Sequence, residues 1–228
     1  MDFFTRYPMM TPHVGSNYHL RTKPSLLLVG ESHYLPDGAT QHLTPARWYG
    51  GNHETLTPAE AHWINTASVL ASACAENFRN KAHWIWKNAF EVINDAGPGY
   101  PEAREIANDV AFVNFFLRPA PERGGSVAWH LTDEDVELAN TAFSMRLEQL
   151  APTAIVFVSS LGYRRFQPAV PLTVPVISTP HPTSQWWNRK AKCYGGKRGR
   201  DVLSDFVATL NWPRAGVRSL PSPNTDAP

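Results

Sequence analysis

Cysteine is almost missing from this 228-residue chain: Cys74 and Cys193 are the whole supply. Two such residues cannot build a disulfide framework or, by themselves, a zinc site, and the expected compartment is a reducing cytoplasm. Long apolar runs are missing as well. None approaches the roughly 20 residues that cross a bilayer, so no membrane partner is expected. The opening MDFFTRYPMM lacks a basic region leading into an apolar one, and no signal peptide is expected. Acid is missing from one long interval. Between Glu148 and Asp201 there is no Asp or Glu, yet Arg164, Arg165, Arg189, Lys190, Lys192, Lys197, Arg198 and Arg200 all fall there. In a chain of net charge +1, this one-sidedness means either a basic face for a polyanion or a solvated basic loop.

What is present is a globular composition, 43% hydrophobic and 18% charged, in a chain long enough for one substantial core. Four short aliphatic runs, Ser25–Gly30, Asp109–Phe115, Ala154–Ser159 and Thr173–Ser178, do not alternate between apolar and polar. That suits strands covered on both faces, as in a parallel sheet. Helical patterns lie between them. LTPAEAHWINTASVLASACAENF offers Thr57 as N-cap, Pro58 in the first turn and Glu60 three residues after the cap. LTDEDVELANTAFSMRLEQLAP offers Thr132 as N-cap, acids in its first turn and an apolar face from Val136 to Leu150. Further helices are expected over KAHWIWKNAFEVIND and from about Arg200 to Leu210. The expected fold is α/β, a three-layer αβα sandwich around a central, mostly parallel four-stranded sheet. It forms a single domain over residues 1–212, with a flexible Pro/Ser-rich tail over 213–228.

In such folds ligands bind beyond the carboxyl ends of the strands. The first strand ends in Gly30, Glu31, Ser32, His33 and Tyr34. The second carries Asn114 and runs into Arg118-Pro119, the third ends in Ser159-Ser160-Leu161-Gly162, and the fourth leads into STPHPTSQWWNRK. An acid, an amide and a histidine thus project from one edge. Each also has a structural reading: Glu31 as a cap, Asn114 bonded to backbone, His181 held in a proline turn. Trp186 and Trp187 are adjacent, so a regular strand would bury only one of them. Beside Arg189 and Lys190 they are either base-stacking rings or a cover for the sheet edge. Nine histidines include His33, His42 and His53 at irregular spacings without a paired ligand motif, so no metal is assigned.

Four segments, in order, resemble the uracil-DNA glycosylase superfamily over roughly Ser25 to Leu210. VGESHY resembles its first motif, Gly-Glu-Ala-Pro-Gly in the iron–sulfur branch and Gly-Gln-Asp-Pro-Tyr-His in the branch without a cluster. RWYGGN resembles the aromatic segment that stacks on the extruded base. VNFFLRPAPERGG resembles the Thr-Asn-x-x-x-Cys-Arg-Pro-Pro region, and PHPTSQWWN the His-Pro-Ser motif with its minor-groove loop. The overall pattern is closest to the iron–sulfur branch, but that branch's four cysteines are missing, so no cluster and no other cofactor is expected.

The resemblance implies catalytic roles for Glu31, Asn114 and His181. His181 would stabilise the departing base, Asn114 would read its Watson–Crick edge, and Glu31 would orient water or stabilise the sugar cation. Gly30, Ser32, His33, Tyr34 and Trp48 would complete the base pocket, with Tyr49 the second choice for the stacking ring. Ser184, Trp186, Trp187, Arg189, Lys190, Lys197 and Arg198 would contact DNA. Ser32 stands where the branch without a cluster has its water-activating aspartate, and His33 replaces a proline. The implied function is monofunctional hydrolysis of the N-glycosidic bond of uracil or a related base, in single- or double-stranded DNA, by a monomer. Alternatives are a glycosylase for a hypermodified pyrimidine in foreign DNA, a catalytically weak nucleic-acid-binding module of the same fold, and a hydrolase of free nucleosides.

Overall fold

The four apolar runs are strands, and their lack of alternation has a direct cause: the sheet is covered on both faces. A computed structural model describes residues 10–122, 125–168 and 171–215. Its strands are β1 (His13–Val14), β2 (Leu26–Gly30), β3 (Val110–Asn114), β4 (Ala154–Phe157) and β5 (Val176–Ser178). They form one sheet in the order β1-β3-β2-β4-β5, with β1 antiparallel to β3 and every other pairing parallel. The expected four-stranded sheet therefore has a fifth strand. Two residues are too few to carry a strand pattern, and β1 lies at the edge of the sheet, paired with β3.

The helices are α1 (Pro45–Tyr49), α2 (Pro58–Trp63), α3 (Thr66–Ala75), α4 (Trp84–Ala96), α5 (Asp133–Leu150), α6 (Ser160–Arg165), α7 (Gln185–Asn188) and α8 (Gly199–Ala208). Strand side chains alternate between faces. Leu26, Leu28, Val110, Phe112, Ala154 and Val156 pack with Leu70, Phe90, Ile93, Leu203 and Val207 of α3, α4 and α8. Leu27, Val29, Ala111, Val113, Ile155 and Phe157 pack with Ala139, Phe143 and Leu150 of α5. Two apolar layers on one sheet make the α/β sandwich.

The caps at Thr57 and Thr132 form as expected, each paired reciprocally with the acid three residues on. The pattern that starts at Thr57, however, is two helices rather than one. It breaks at Ile64, and Asn65 caps α3 by accepting from the Ser68 amide at 3.0 Å. Beyond Pro213, Arg214 Nη1 donates to the Asp95 carbonyl and the Ala215 amide to that of Pro98. The rest of the expected tail, from residue 216, lies outside the described residues.

Past the end of β3 the chain is locked by a buried ion pair. Arg118, 1% exposed, donates from Nε and Nη2 to the two carboxylate oxygens of Asp135 at 2.9 and 2.7 Å. Its remaining donors reach the carbonyls of His42 and His130, and Tyr49 Oη donates to Asp135 Oδ1. Burial disfavours the Asp135 charge, but the Arg118 hydrogen bonds, the Thr132 amide and the Arg118 charge hold its carboxyl below the usual range. The Arg-Pro that resembles a glycosylase motif is, in this fold, a structural bolt.

Arg118→Met should leave the Asp135 carboxylate buried and unpaired, lowering stability by about 3–5 kcal/mol; urea unfolding at pH 7 measures it.

Candidate functional site

Beyond the carboxyl ends of β2 and β3 opens a cleft of about 820 Å³. Glu31, Ser32, His33, Tyr34, Asn114, His181 and Ser184 all line it, so residues 150 positions apart in sequence share one wall.

Gly30 and Asn114 are register partners at the ends of β2 and β3. A Cβ on Gly30 would lie 2.3 Å from Asn114 Oδ1 and 2.8 Å from Phe112 Cζ. The missing side chain is what lets the Asn114 amide lie across the strand end. Among the described residues no group hydrogen-bonds that amide, and it faces the cleft with its donor and acceptor free.

Glu31 is held from two directions. Its Oε1 accepts from Ser126 Oγ at 2.7 Å and from the Val127 amide at 3.1 Å, and its Oε2 accepts from Ser159 Oγ at 3.2 Å. An ionised carboxylate has about four acceptor positions, so one remains, on Oε2. Ser159 also caps α6 through the Gly162 amide, which fixes its hydroxyl.

His181 sits in a clamped turn. Its carbonyl accepts from the Ser184 amide at 2.8 Å, Asn88 of α4 donates to the next carbonyl, that of Pro182, and Pro180 packs on Gly199, where a Cβ would be 2.3 Å from its Cγ. The Thr183 amide lies 3.2 Å from His181 Nδ1, and Thr183 Oγ1 lies 2.8 Å from it. An amide only donates, so Nδ1 is the acceptor and the neutral ring carries its proton on Nε2. Burial keeps the imidazolium form below the ordinary histidine range, with the nearby Glu31 charge acting in the opposite direction.

His33, the residue in the motif's proline position, is 7% exposed. Burial lowers its pKa to about 4, opposed by a hydrogen bond to the Trp63 carbonyl, and its Nε2 lies 3.5 Å from Thr66 Oγ1. Trp63 ends α2 and Thr66 begins α3. The ring thus ties the β2 loop to the break between those helices. Tyr34 donates from Oη to the Gly125 carbonyl at 3.0 Å, fastening the same loop to the segment that holds Glu31. Burial, and then the Glu31 charge, raise its phenol pKa.

Other expected residues lie elsewhere. Trp48 is fully buried against Leu35, Ile64 and Leu117 and does not line the cleft. The short α1 turns both Trp48 and Tyr49 into this satellite core, which removes the first candidate for a stacking ring and the second with it. Trp187 is a core residue at 2% exposure, packed beside Gly199, while Trp186 is 45% exposed. Of the basic residues, Lys197 pairs with Asp205 at 2.7 Å and Arg198 with Asp201 at 2.7 Å. The acid-free interval of the sequence is therefore not acid-free in space, because α8 brings its own acids back beside it. Arg189, Lys190 and Lys192 remain exposed.

The sequence reading missed the opposite wall. Trp63, Trp84, Trp86, His62, His83 and Lys81 line the cleft from α2, α4 and the turn before α4. The signal was the run HWIWK, in which tryptophans two apart fall on different sides of a helix: Trp86 is buried and Trp84 is 38% exposed. Among the described residues no group of three or more His, Cys, Asp or Glu could hold a metal ion, both cysteines are free, and no helix is long and apolar enough to cross a membrane. In sequence comparisons no family model matches the chain, and neither does any curated protein.

Two outcomes follow. Since His33 is neutral when folded and protonates more readily when unfolded, its contribution is fully present above pH 6.5 and is lost as pH falls from about 6.5 to about 4. By linkage the loss is about 3 kcal/mol. Urea unfolding of His33→Gln across pH 4–7 should show a flatter slope than the parent chain. Gly30→Ala should displace Asn114 and cost about 1–3 kcal/mol, seen as a lower urea midpoint together with loss of whatever ligand the Asn114 amide reads.

Proposed function

We infer that the chain is a monofunctional DNA glycosylase that takes an extruded uracil or related base into the cleft and hydrolyses its N-glycosidic bond. One observation carries this reading: an unpartnered amide, a neutral imidazole protonated on Nε2 and a positioned carboxylate line the same cleft. Those are the groups that glycosidic cleavage of a nucleotide needs. The resemblance of VGESHY and PHPTSQWWN to the uracil-DNA glycosylase superfamily supports it.

As the bond breaks, negative charge collects on the base and positive charge on the sugar. The His181 Nε2–H donates to the base carbonyl where that charge grows. A fixed donor of this kind is worth about 10²–10³ in rate. Its proton stays on the ring, because a neutral imidazole that gave up Nε2–H would become an imidazolate. The Asn114 amide offers one donor and one acceptor, the complement of a pyrimidine's Watson–Crick edge. Glu31 sets its negative charge beside the sugar cation, and the free position on Oε2 orients the attacking water. Ser32 lines the same wall and needs no basicity if Glu31 holds the water. Trp186, exposed on α7, stacks against the bases beside the extruded one, and Arg189 and Lys190 meet the phosphates.

A second reading within the same chemistry has its own support. The cleft, at about 820 Å³, is far larger than one pyrimidine base, and its far wall is aromatic. That favours a base with a bulky substituent, such as a hypermodified pyrimidine of foreign DNA.

Incubation with oligonucleotides containing uracil, hypoxanthine or 5-substituted pyrimidines, followed by alkaline cleavage at abasic sites, tests both readings. The parent chain should release one of these bases, and His181→Ala and Asn114→Ala should each lower the rate about a hundredfold or more. No release from any of them, in single or double strands, would sink the assignment.

A further inference from the structure

Three tryptophans stand in solvent. Trp129 is 91% exposed, Trp186 45% and Trp84 38%. They come from three unrelated segments, each of which contributes to the cleft wall. Trp84 lines it directly. Trp129 lies in the 3-10 turn Val127–His130, whose first amide holds Glu31, three residues from the cleft-lining Ser126. Trp186 follows two residues after Ser184, which also lines the cleft. Core packing explains none of these rings, since each leaves substantial surface in water.

Cations accompany them. Lys81 Nζ and Lys87 Nζ lie 5.8 and 5.9 Å from the Trp84 ring centroid, and Arg189 follows α7 directly, its Nη1 donating to Gln185 Oε1. Separated flat rings interleaved with positive charge differ from a protein-docking patch, which is contiguous and depleted of lysine at its centre. They match the requirements of an unpaired nucleic-acid strand, whose bases stack on aromatic faces while its phosphates meet lysine and arginine. In a duplex the base faces are already covered by their neighbours, so exposed rings such as these would go largely unused.

We propose that this rim is a track for single-stranded DNA. Bases flanking the nucleotide in the cleft stack on Trp84, Trp129 and Trp186, and Lys81 and Arg189 take the adjoining phosphates. The preferred substrate is thus an unpaired strand, which also spares the enzyme the unpairing energy of extrusion. The choice of strand rests on the glycosylase reading, whereas the binding itself does not.

Fluorescence anisotropy of the full chain with labelled, uracil-free 15-mers separates the two. Three probes of one length are compared at fixed salt: a single strand, its duplex, and a base-free sugar-phosphate strand. The single strand should bind at least tenfold more tightly than either of the others. Trp129→Ala and Trp84→Ala should each weaken single-strand binding about five- to tenfold and leave the duplex affinity unchanged. A duplex that binds as tightly as the single strand, or a Trp84→Ala, Trp129→Ala double variant that binds single strands like the parent, would overturn the track. Base release does not enter this measurement. Failure of the glycosylase reading therefore appears in the cleavage assay alone, and base release confined to duplex would overturn the strand preference while leaving the glycosylase standing.

Discussion

The buried pairing of Arg118 with Asp135 is the constraint on which the cleft depends. A guanidinium with five donors has been placed out of water past the end of β3, and its partners belong to three different segments of the chain. Asp135 fixes the start of α5, the His42 carbonyl fixes the long loop after β2, and the His130 carbonyl fixes the turn that follows Val127. Such a pair gives little net stability relative to an apolar replacement. Its effect is geometric: segments without regular structure are brought to one set of positions. Because the Val127 amide and Ser126 hydroxyl hold Glu31, an ion pair with no place in the cleft determines where the carboxylate points.

The same division between what faces the cleft and what holds it recurs around the site. Asn114 is available because Gly30 has no side chain. The imidazole of His181 is oriented because Thr183, Asn88, Pro180 and Gly199 leave its turn one conformation. His33 and Tyr34, although they line the cleft, spend their polar atoms on the Trp63 and Gly125 carbonyls. The stretch VGESHY therefore divides residue by residue, with Gly30 and Glu31 serving the opening and His33 and Tyr34 tying its loop down.

Strands buried on both faces have a strong local signature, and so do helix caps with an acid three residues on. For that reason the sheet, its parallel order and the caps at Thr57 and Thr132 were legible before any coordinates. That Glu31, Asn114 and His181 meet at one edge was legible as well, because the ends of parallel strands converge and these three residues are polar where apolar ones were expected. Trp48 was misread: a tryptophan in an aromatic-glycine segment looks the same whether it stacks on a ligand or fills a satellite core, and only the turn of α1 decides. Lys197 and Arg198 were read without their acidic partners for a related reason. Charge counted along a chain ignores the helix that folds Asp201 and Asp205 back onto it. The far wall was missed because Trp84 and Trp86 sit on α4, whose sequence reads as an ordinary amphipathic helix, and Trp63 ends α2.

The hydrogen bond from the Thr183 amide to His181 Nδ1 restricts more than the ring's orientation. A histidine that relays protons needs both nitrogens in play, one taking up what the other gives. Here Nδ1 accepts from the Thr183 amide with the Thr183 hydroxyl beside it, and burial disfavours a second proton on the ring. In this tautomer the residue polarises whatever lies before Nε2. A group placed before that nitrogen meets a fixed dipole rather than an acid.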